Sequence, residues 1–281
     1  MFKSLLASAA LMAFAGPAMA TDITLCAGAP GRNYDSVMQS VAIQLNKRGH
    51  HAIVKNLGGS EDILRELDAG TCDYGPAQKD VHYKLSKESA TFASTVSPLV
   101  LMYNEAMQMF CSEDSGIDEL EEIDETTTVI IDSIGSGSAL SWQTMKDVEN
   151  EYGNKSSWIN AKTIYEPLDE AGAIIALGEA DCAFGVGAVP AAGWGSELNE
   201  GGLTPVYIYD KDLNDLIVGK SPLYQSVRIP QGSYSSKFDT YPIPAIVFKS
   251  EKGHGTKEID KFIRTFTPSV STKYNTVGKV Q

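Results

Sequence analysis

Residues 67–75, LDAGTCDYG, return in altered form as residues 177–185, LGEADCAFG. The two copies set Leu67 against Leu177, Cys72 against Cys182, Tyr74 against Phe184 and Gly75 against Gly185. Each follows a short run of helical spacing: Ile63, Leu64 and Leu67 in the first, Ile174, Ile175 and Leu177 in the second. Upstream of each copy a strand pattern enters a glycine-containing loop and leaves it as an amphipathic helix. In the first half this is residues 23–45, ITLCAGAPGRNYDSVMQSVAIQL; in the second it is residues 128–148, TVIIDSIGSGSALSWQTMKDV. An internal repeat of this kind outranks local detail in reading a fold. It predicts two α/β units of like design, each a mainly parallel sheet flanked by helices, because alternating strands and helices cover both sheet faces.

Residues 97–116, SPLVLMYNEAMQMFCSEDSG, are apolar enough in both halves to read as a pair of buried strands, the second crossing from one unit to the other. Residues 241–251, YPIPAIVFKSE, read as the return crossing, with a helix near 256–266 behind it. Two crossings make a hinge with a cleft beneath. The predicted domains are residues 21–104 with 241–281 as lobe 1 and residues 105–240 as lobe 2, with sheets that do not merge.

Residues 1–20, MFKSLLASAALMAFAGPAMA, have one early cation, a short apolar stretch and the small-x-small triplet Ala18, Met19 and Ala20, which reads as a secretory signal peptide cleaved after Ala20. The expected location is a bacterial periplasm, and the expected state a soluble monomer. The formal charge is −13, and −14 once Lys3 is removed with the leader, which argues against nucleic acid and anionic lipid as partners. Four histidines show no metal-ligand spacing, so no metal and no cofactor are expected. Eight acidic residues between Glu113 and Glu125 read as a solvated helix face, with partner docking as the lesser alternative. Four cysteines allow three disulfide pairings. The pairing most consistent with the repeat is Cys26 with Cys72 and Cys111 with Cys182, and buried free thiols stay open beside it.

Ligands of open α/β sheets sit at the carboxyl ends of strands, against helix N-termini. The loop GSGS, residues 135–138, offers close backbone approach, the Ser136 and Ser138 hydroxyls and the free N–H groups of a helix start. It is no dinucleotide fingerprint, since Leu140 stands where the third glycine belongs, and no Walker or nucleophile-elbow pattern either. A site that holds an anion is therefore favoured over one that reacts with it; a simple capped turn is the plain alternative. The first unit contributes the loops GAPGRNY (28–34), LGGSEDIL (57–64) and QKD (78–80), in which Arg32 and Lys79 are the cations suited to a carboxylate, unless they are solvated surface groups.

The order of motifs resembles the solute-binding proteins of TRAP transporters in the TAXI group. It runs G-x-x-G-x-x-Y (28–34), L-G-G-S-x-x-x-L (57–64), L-x-A-G-x-x-D-x-x-x-x-Q-x-D (67–80), Tyr-x-Glu through D-S-G-I (103–117), G-S-G-S (135–138), V-G-x-x-P-A-A (186–192) and I-P-x-G-x-Y (229–234). The resemblance spans nearly the whole mature chain. It implies a two-lobed periplasmic receptor that closes on a small organic acid or amino acid, glutamate-like or dicarboxylate, and delivers it to the membrane subunits of an ion-driven permease. It also implies a cleft lined by Tyr34, Gly59, Ser60, Gln78, Tyr103, Ser136, Gly137 and Ser138, to which the loops add Arg32, Asn33, Lys79 and Gly187. The chain departs from the family at Ala29 and Pro30, at Arg32 and Asn33, at Lys79, and at Ala188 and Val189, all within the expected site. An ABC-type phosphonate or cofactor receptor shares the architecture. A hydrolase using a cleft serine is a further alternative, but the motifs carry no histidine partner for one, so no catalytic residue is assigned.

Overall fold

The computed structural model describes residues 20–190, 194–218, 220–230, 233–274 and 277. Residues 1–19 of the expected signal peptide, Ala191 and Ala192 of the 186–192 motif, and Gln231 and Gly232 of the 229–234 motif lie outside the described residues. In chain order the first repeat supplies β1 (Asp22–Ala27), α1 (Asn33–Asn46), β2 (His51–Asn56), α2 (Ser60–Ala69), β3 (Tyr74–Gln78), α3 (Lys79–Glu88) and the single turn α4 (Phe92–Thr95). A long strand, β4 (Val96–Cys111), leads to the second repeat: β5 (Thr128–Ile130), α5 (Gly137–Tyr152), β6 (Lys162–Ile164), α6 (Ala171–Ala176) and β7 (Cys182–Gly187). Short elements follow, namely α7 (Trp194–Glu200), β8 (Thr204–Pro205), α8 (Lys211–Asp215), β9 (Ile217–Val218), β10 (Ser221–Pro222), β11 (Val227–Ile229) and β12 (Phe238–Thr240). The chain returns through β13 (Pro242–Ser250) and continues as α9 (Lys257–Ser271).

The main sheet runs β2-β1-β3-β13-β4-β7-β5-β6, with β8 also on β4. Each end of this row is parallel: β1 pairs with β2 and β3 in that sense, and β5 with β6 and β7. The middle is antiparallel, where the two crossing strands join the halves. This is the α/β two-lobed architecture expected from the repeat, with two corrections. The halves do not have separate sheets, because β4 carries the ladder from one to the other: its residues from Val96 to Ala106 pair with β13, and those from Ala106 to Cys111 pair with β7. Residues 97–116 are also not two strands. Asn104 and Glu105 look like a polar interruption, but both are buried within the one 16-residue strand.

Alternation along the strands divides the core into four parts, one on each face of each half. On β1, Ile23, Leu25 and Ala27 face the cluster built with Val37, Val41 and Leu45 of α1 and Ile259 and Ile263 of α9, while Cys26 faces Ile63, Leu64 and Leu67 of α2. On β4, Met107, Met109 and Cys111 face Trp142 and Met145 of α5, while Ala106 and Phe110 face Ala171 and Ile175 of α6. The repeated glycines are close-approach positions. A Cβ on Gly75 would stand 2.6 Å from Ile63 Cγ2, and one on Gly185 2.5 Å from the Trp194 ring. Disulfides join Cys26 to Cys72 and Cys111 to Cys182. The acidic run forms no helix face: it contains two single 3-10 turns, Glu113–Ser115 and Leu120–Glu122, the second closed by its own capping box. Among the described residues no helix is long and apolar enough to cross a membrane.

Candidate ligand-binding cleft

The helix starts of both repeats converge where β4 changes partner. α2 follows Gly58 and Gly59, and α5 follows Gly135 and Ser136, so the glycine loops of the two halves face one another. They touch: a Cβ on Gly59 would lie 3.4 Å from the Gly135 carbonyl oxygen and 3.6 Å from the Gly137 nitrogen. Gln78, the last residue of β3, lays its amide against Gly137 so closely that any side chain there would collide with it. The first N–H groups of α2 and α5 have no carbonyl one turn behind them, and each helix brings partial positive charge to its start.

Beneath these loops lies Glu105, 8% exposed. Its Oε2 accepts from the Tyr34 hydroxyl at 3.2 Å and from Gln78 Nε2 at 3.0 Å. The Gln78 backbone N–H donates to Ser60 Oγ at 3.2 Å, and the Gln78 side-chain oxygen is buried without a partner. Burial raises the Glu105 carboxyl from its usual 4.5 to about 7, against the opposing pull of the Gln78 and Tyr34 hydrogen bonds. Asp80, at the start of α3, is also buried; desolvation raises it to about 6 although Ser141 of α5 and the Val81 N–H both stabilise its charge. The Tyr224 hydroxyl donates to Asp80 at 3.4 Å. Neither carboxylate has an ion-pair partner among the described residues.

The residues nominated from sequence divide into three groups. Tyr34, Gly59, Ser60, Gln78 and Gly137 are brought together around Glu105. Ser136 and Ser138 lie in the right loop but their hydroxyls serve the fold: Ser136 caps α5 by accepting from the Ala139 N–H at 3.1 Å, and buried Ser138 accepts from the Val186 N–H at 3.0 Å, tying α5 to β7. The plain capped-turn alternative thus holds for those oxygens, while the loop's amides stay available. Tyr103 is buried in the first-repeat core, its ring 6.3 Å from that of Tyr34, and Asn33 opens α1 beside it. Gly187 pairs in register with Ala106, next to Glu105.

Arg32 and Lys79 form the third group. Lys79, half-buried, donates to the Pro222 carbonyl at 3.1 Å, and exposed Arg32 lies 3.9 Å from Asp169 of the second repeat. Both cations thus bridge the halves. From α3 to α5, Lys84 pairs with Asp147 at 2.5 Å and Lys87 with Glu151 at 2.8 Å. Two surface depressions lie elsewhere, one between α3 and α5 and one beside Glu113 and Glu197, and neither is lined by a nominated residue. Glu105 and Asp80 were missed as site residues. A lone carboxylate inside an apolar strand was the available signal, since such a group is rarely buried without a role.

No protein-family model matches the chain, and no curated protein does. Solved structures do. A Xanthomonas citri protein bound to ATP is 10% identical with a TM-score of 0.57, over 92% of this chain and 90% of that one. A lactococcal glycine-betaine-bound OpuAC is 12% identical with a TM-score of 0.49, over 90% and 89%. A TRAP periplasmic solute-binding protein from Sulfitobacter with bound galacturonate is 13% identical with a TM-score of 0.48, over 91% and 81%. At these identities the likeness is one of fold alone.

Proposed function

We propose that the protein is a periplasmic solute-binding receptor whose ligand is a zwitterionic amino acid, held between lobes comprising residues 21–104 with 241–281 and residues 105–240, and passed to a TRAP-type permease. The observation that carries this reading is the buried Glu105 carboxylate lying beneath two facing helix starts. The amides at Gly137 and Ser138 suit a carboxylate, and Glu105 with the unpaired Gln78 oxygen suits an ammonium group. A dicarboxylate fits this chemistry less well, because Glu105 would repel its second charge and the Lys79 ammonium already donates to the Pro222 carbonyl. The permease type rests on the motif order alone. Receptor rather than hydrolase is favoured because the Ser60, Ser136 and Ser138 Oγ atoms each accept from a backbone N–H and, among the described residues, none of these hydroxyls donates to a histidine base.

The test is calorimetry with L-glutamate, L-glutamine and neutral amino acids against succinate and the matching 2-hydroxy acids. A charge-assisted bond contributes roughly 1.5–3 kcal/mol, so losing the ammonium group should weaken binding about 10- to 150-fold. Succinate or a hydroxy acid binding as tightly as its amino acid would overturn the assignment.

A further inference from the structure

A second cluster of acids lies away from the cleft, in the second repeat. The carboxylates of Glu149, in the last turn of α5, and of Asp210 and Asp212, at the start of α8, place oxygens within 4.8 Å of one another. Glu149 is 0% exposed and Asp210 3%. No Lys, Arg or His forms an ion pair with any of the three among the described residues. Hydrogen bonds satisfy part of the set. Asp210 Oδ1 accepts from the N–H groups of Asp212 and Leu213, its Oδ2 from Trp158 Nε1 at 3.1 Å, and Asp212 from Asn154. Glu149 Oε1 accepts from the Ser156 N–H at 2.9 Å. Glu149 Oε2 is buried and has no hydrogen-bond partner among the described residues. The Ser156 hydroxyl stands 3.1 Å from both Glu149 Oε1 and Asp210 Oδ2, yet has one proton to give.

Three formal negative charges, two of them buried, thus share one place with no ion-pair partner among the described residues, and an acceptor oxygen is left over. Burial of an unpaired charge is costly enough that a cation or a proton must answer it. We infer that Glu149, Asp210 and Asp212 form a structural site for a hard divalent cation, Ca2+, in the second lobe. All-oxygen ligands without sulfur or imidazole select hard ions, and a charge-rich set spread over two helix ends and completed by water suits the flexible coordination of Ca2+ better than the strict octahedron of Mg2+. The site ties α5 to α8, and through the reciprocal Asp210 and Tyr241 backbone-to-phenol bonds at 2.9 and 2.7 Å it reaches the residue that opens the return crossing.

The full mature chain, stripped with EDTA, is the sample. Ca2+ at 100 times its Kd should raise Tm by about 5–10 °C, and Tb3+ should luminesce on excitation of Trp158, whose indole bonds Asp210 directly. Glu149→Gln and Asp212→Asn should each abolish the Ca2+ shift and the Tb3+ signal, while metal-free, each variant should melt above metal-free wild type because a repelling charge is gone. Should Glu149→Gln fail to fold, the partly exposed Asp212→Asn carries the test. Equal Tm with and without Ca2+, or a shift that survives in Asp212→Asn, overturns the site and assigns the cluster to a shared proton.

Discussion

Glu105→Gln isolates the electrostatic cost of the cleft. The substitution keeps the shape and an oxygen able to accept from Tyr34 and Gln78, and removes only the charge. In the folded protein the carboxyl titrates near 7 and in the unfolded chain near 4.5. Below 4.5 both states are protonated and the group has no effect. As pH rises from 4.5 to 7 the unfolded chain ionises while the folded protein keeps its proton, so folding stability falls; above 7 the loss is complete and constant. The difference of 2.5 between those values, at 1.36 kcal/mol each, gives about 3 kcal/mol, or roughly 6–12 °C in Tm. Melting curves at intervals from pH 4.5 to 7.5 should therefore show Glu105→Gln gaining on wild type by that amount. A bound amino acid should flatten the wild-type slope, since its ammonium group favours the ionised carboxylate. Parallel curves for the two proteins would refute the reasoning, because they would mean that Glu105 is ionised at no cost and the cleft is wetter than its burial indicates.

Two further perturbations separate the parts of the cleft. Gly137→Ala places a methyl group in the buried Gln78 side chain, which should lower amino-acid affinity at least about 10-fold and also lower Tm, as measured by calorimetry and melting; unchanged affinity would remove Gln78 from the site. The double charge reversal Lys84→Glu and Lys87→Glu replaces two attractions across α3 and α5 with repulsions, and should increase the radius of gyration in small-angle scattering; an unaltered radius would show that these exposed pairs do not help hold the lobes together.

Architecture was more legible than chemistry. The echo between 67–75 and 177–185 marked a closely approached strand glycine in each half, Gly75 against Ile63 of α2 and Gly185 against Trp194 of α7, although Leu67 is buried and its counterpart Leu177 is exposed. The disulfide pairs followed from the same echo. The merged sheet did not, because β4 hides its continuity behind Asn104 and Glu105, and polarity in a strand signals a break unless tertiary contacts satisfy it. The same dipeptide concealed the site's acid. Gly59, Ser60, Gln78 and Gly137 were nominated by the motif order of the family resemblance, and only the glycines also by the close backbone approach such loops allow. Whether Lys79 and Arg32 were free to meet a ligand depended on Pro222 and Asp169, remote in sequence, and no local pattern encodes that. The Glu149, Asp210 and Asp212 cluster escaped for the same reason, since a search for histidine spacing cannot find carboxylates gathered from two distant segments.

The unbroken ladder through β4 and β13 has a mechanical meaning. Opening the lobes need not exchange any hydrogen-bonded neighbour; it need only flex strands that stay zipped throughout, with the register shifts of β13 against β4 at Ala245/Ile246 and Val247/Phe248 as the places where the ribbon already bends. Such a joint behaves as a leaf spring and not as a pair of loose tethers. On the receptor reading proposed above, lobes joined in this way would swing about a fixed line instead of wandering, and the rate at which cargo escapes would be set by how firmly the facing loops grip.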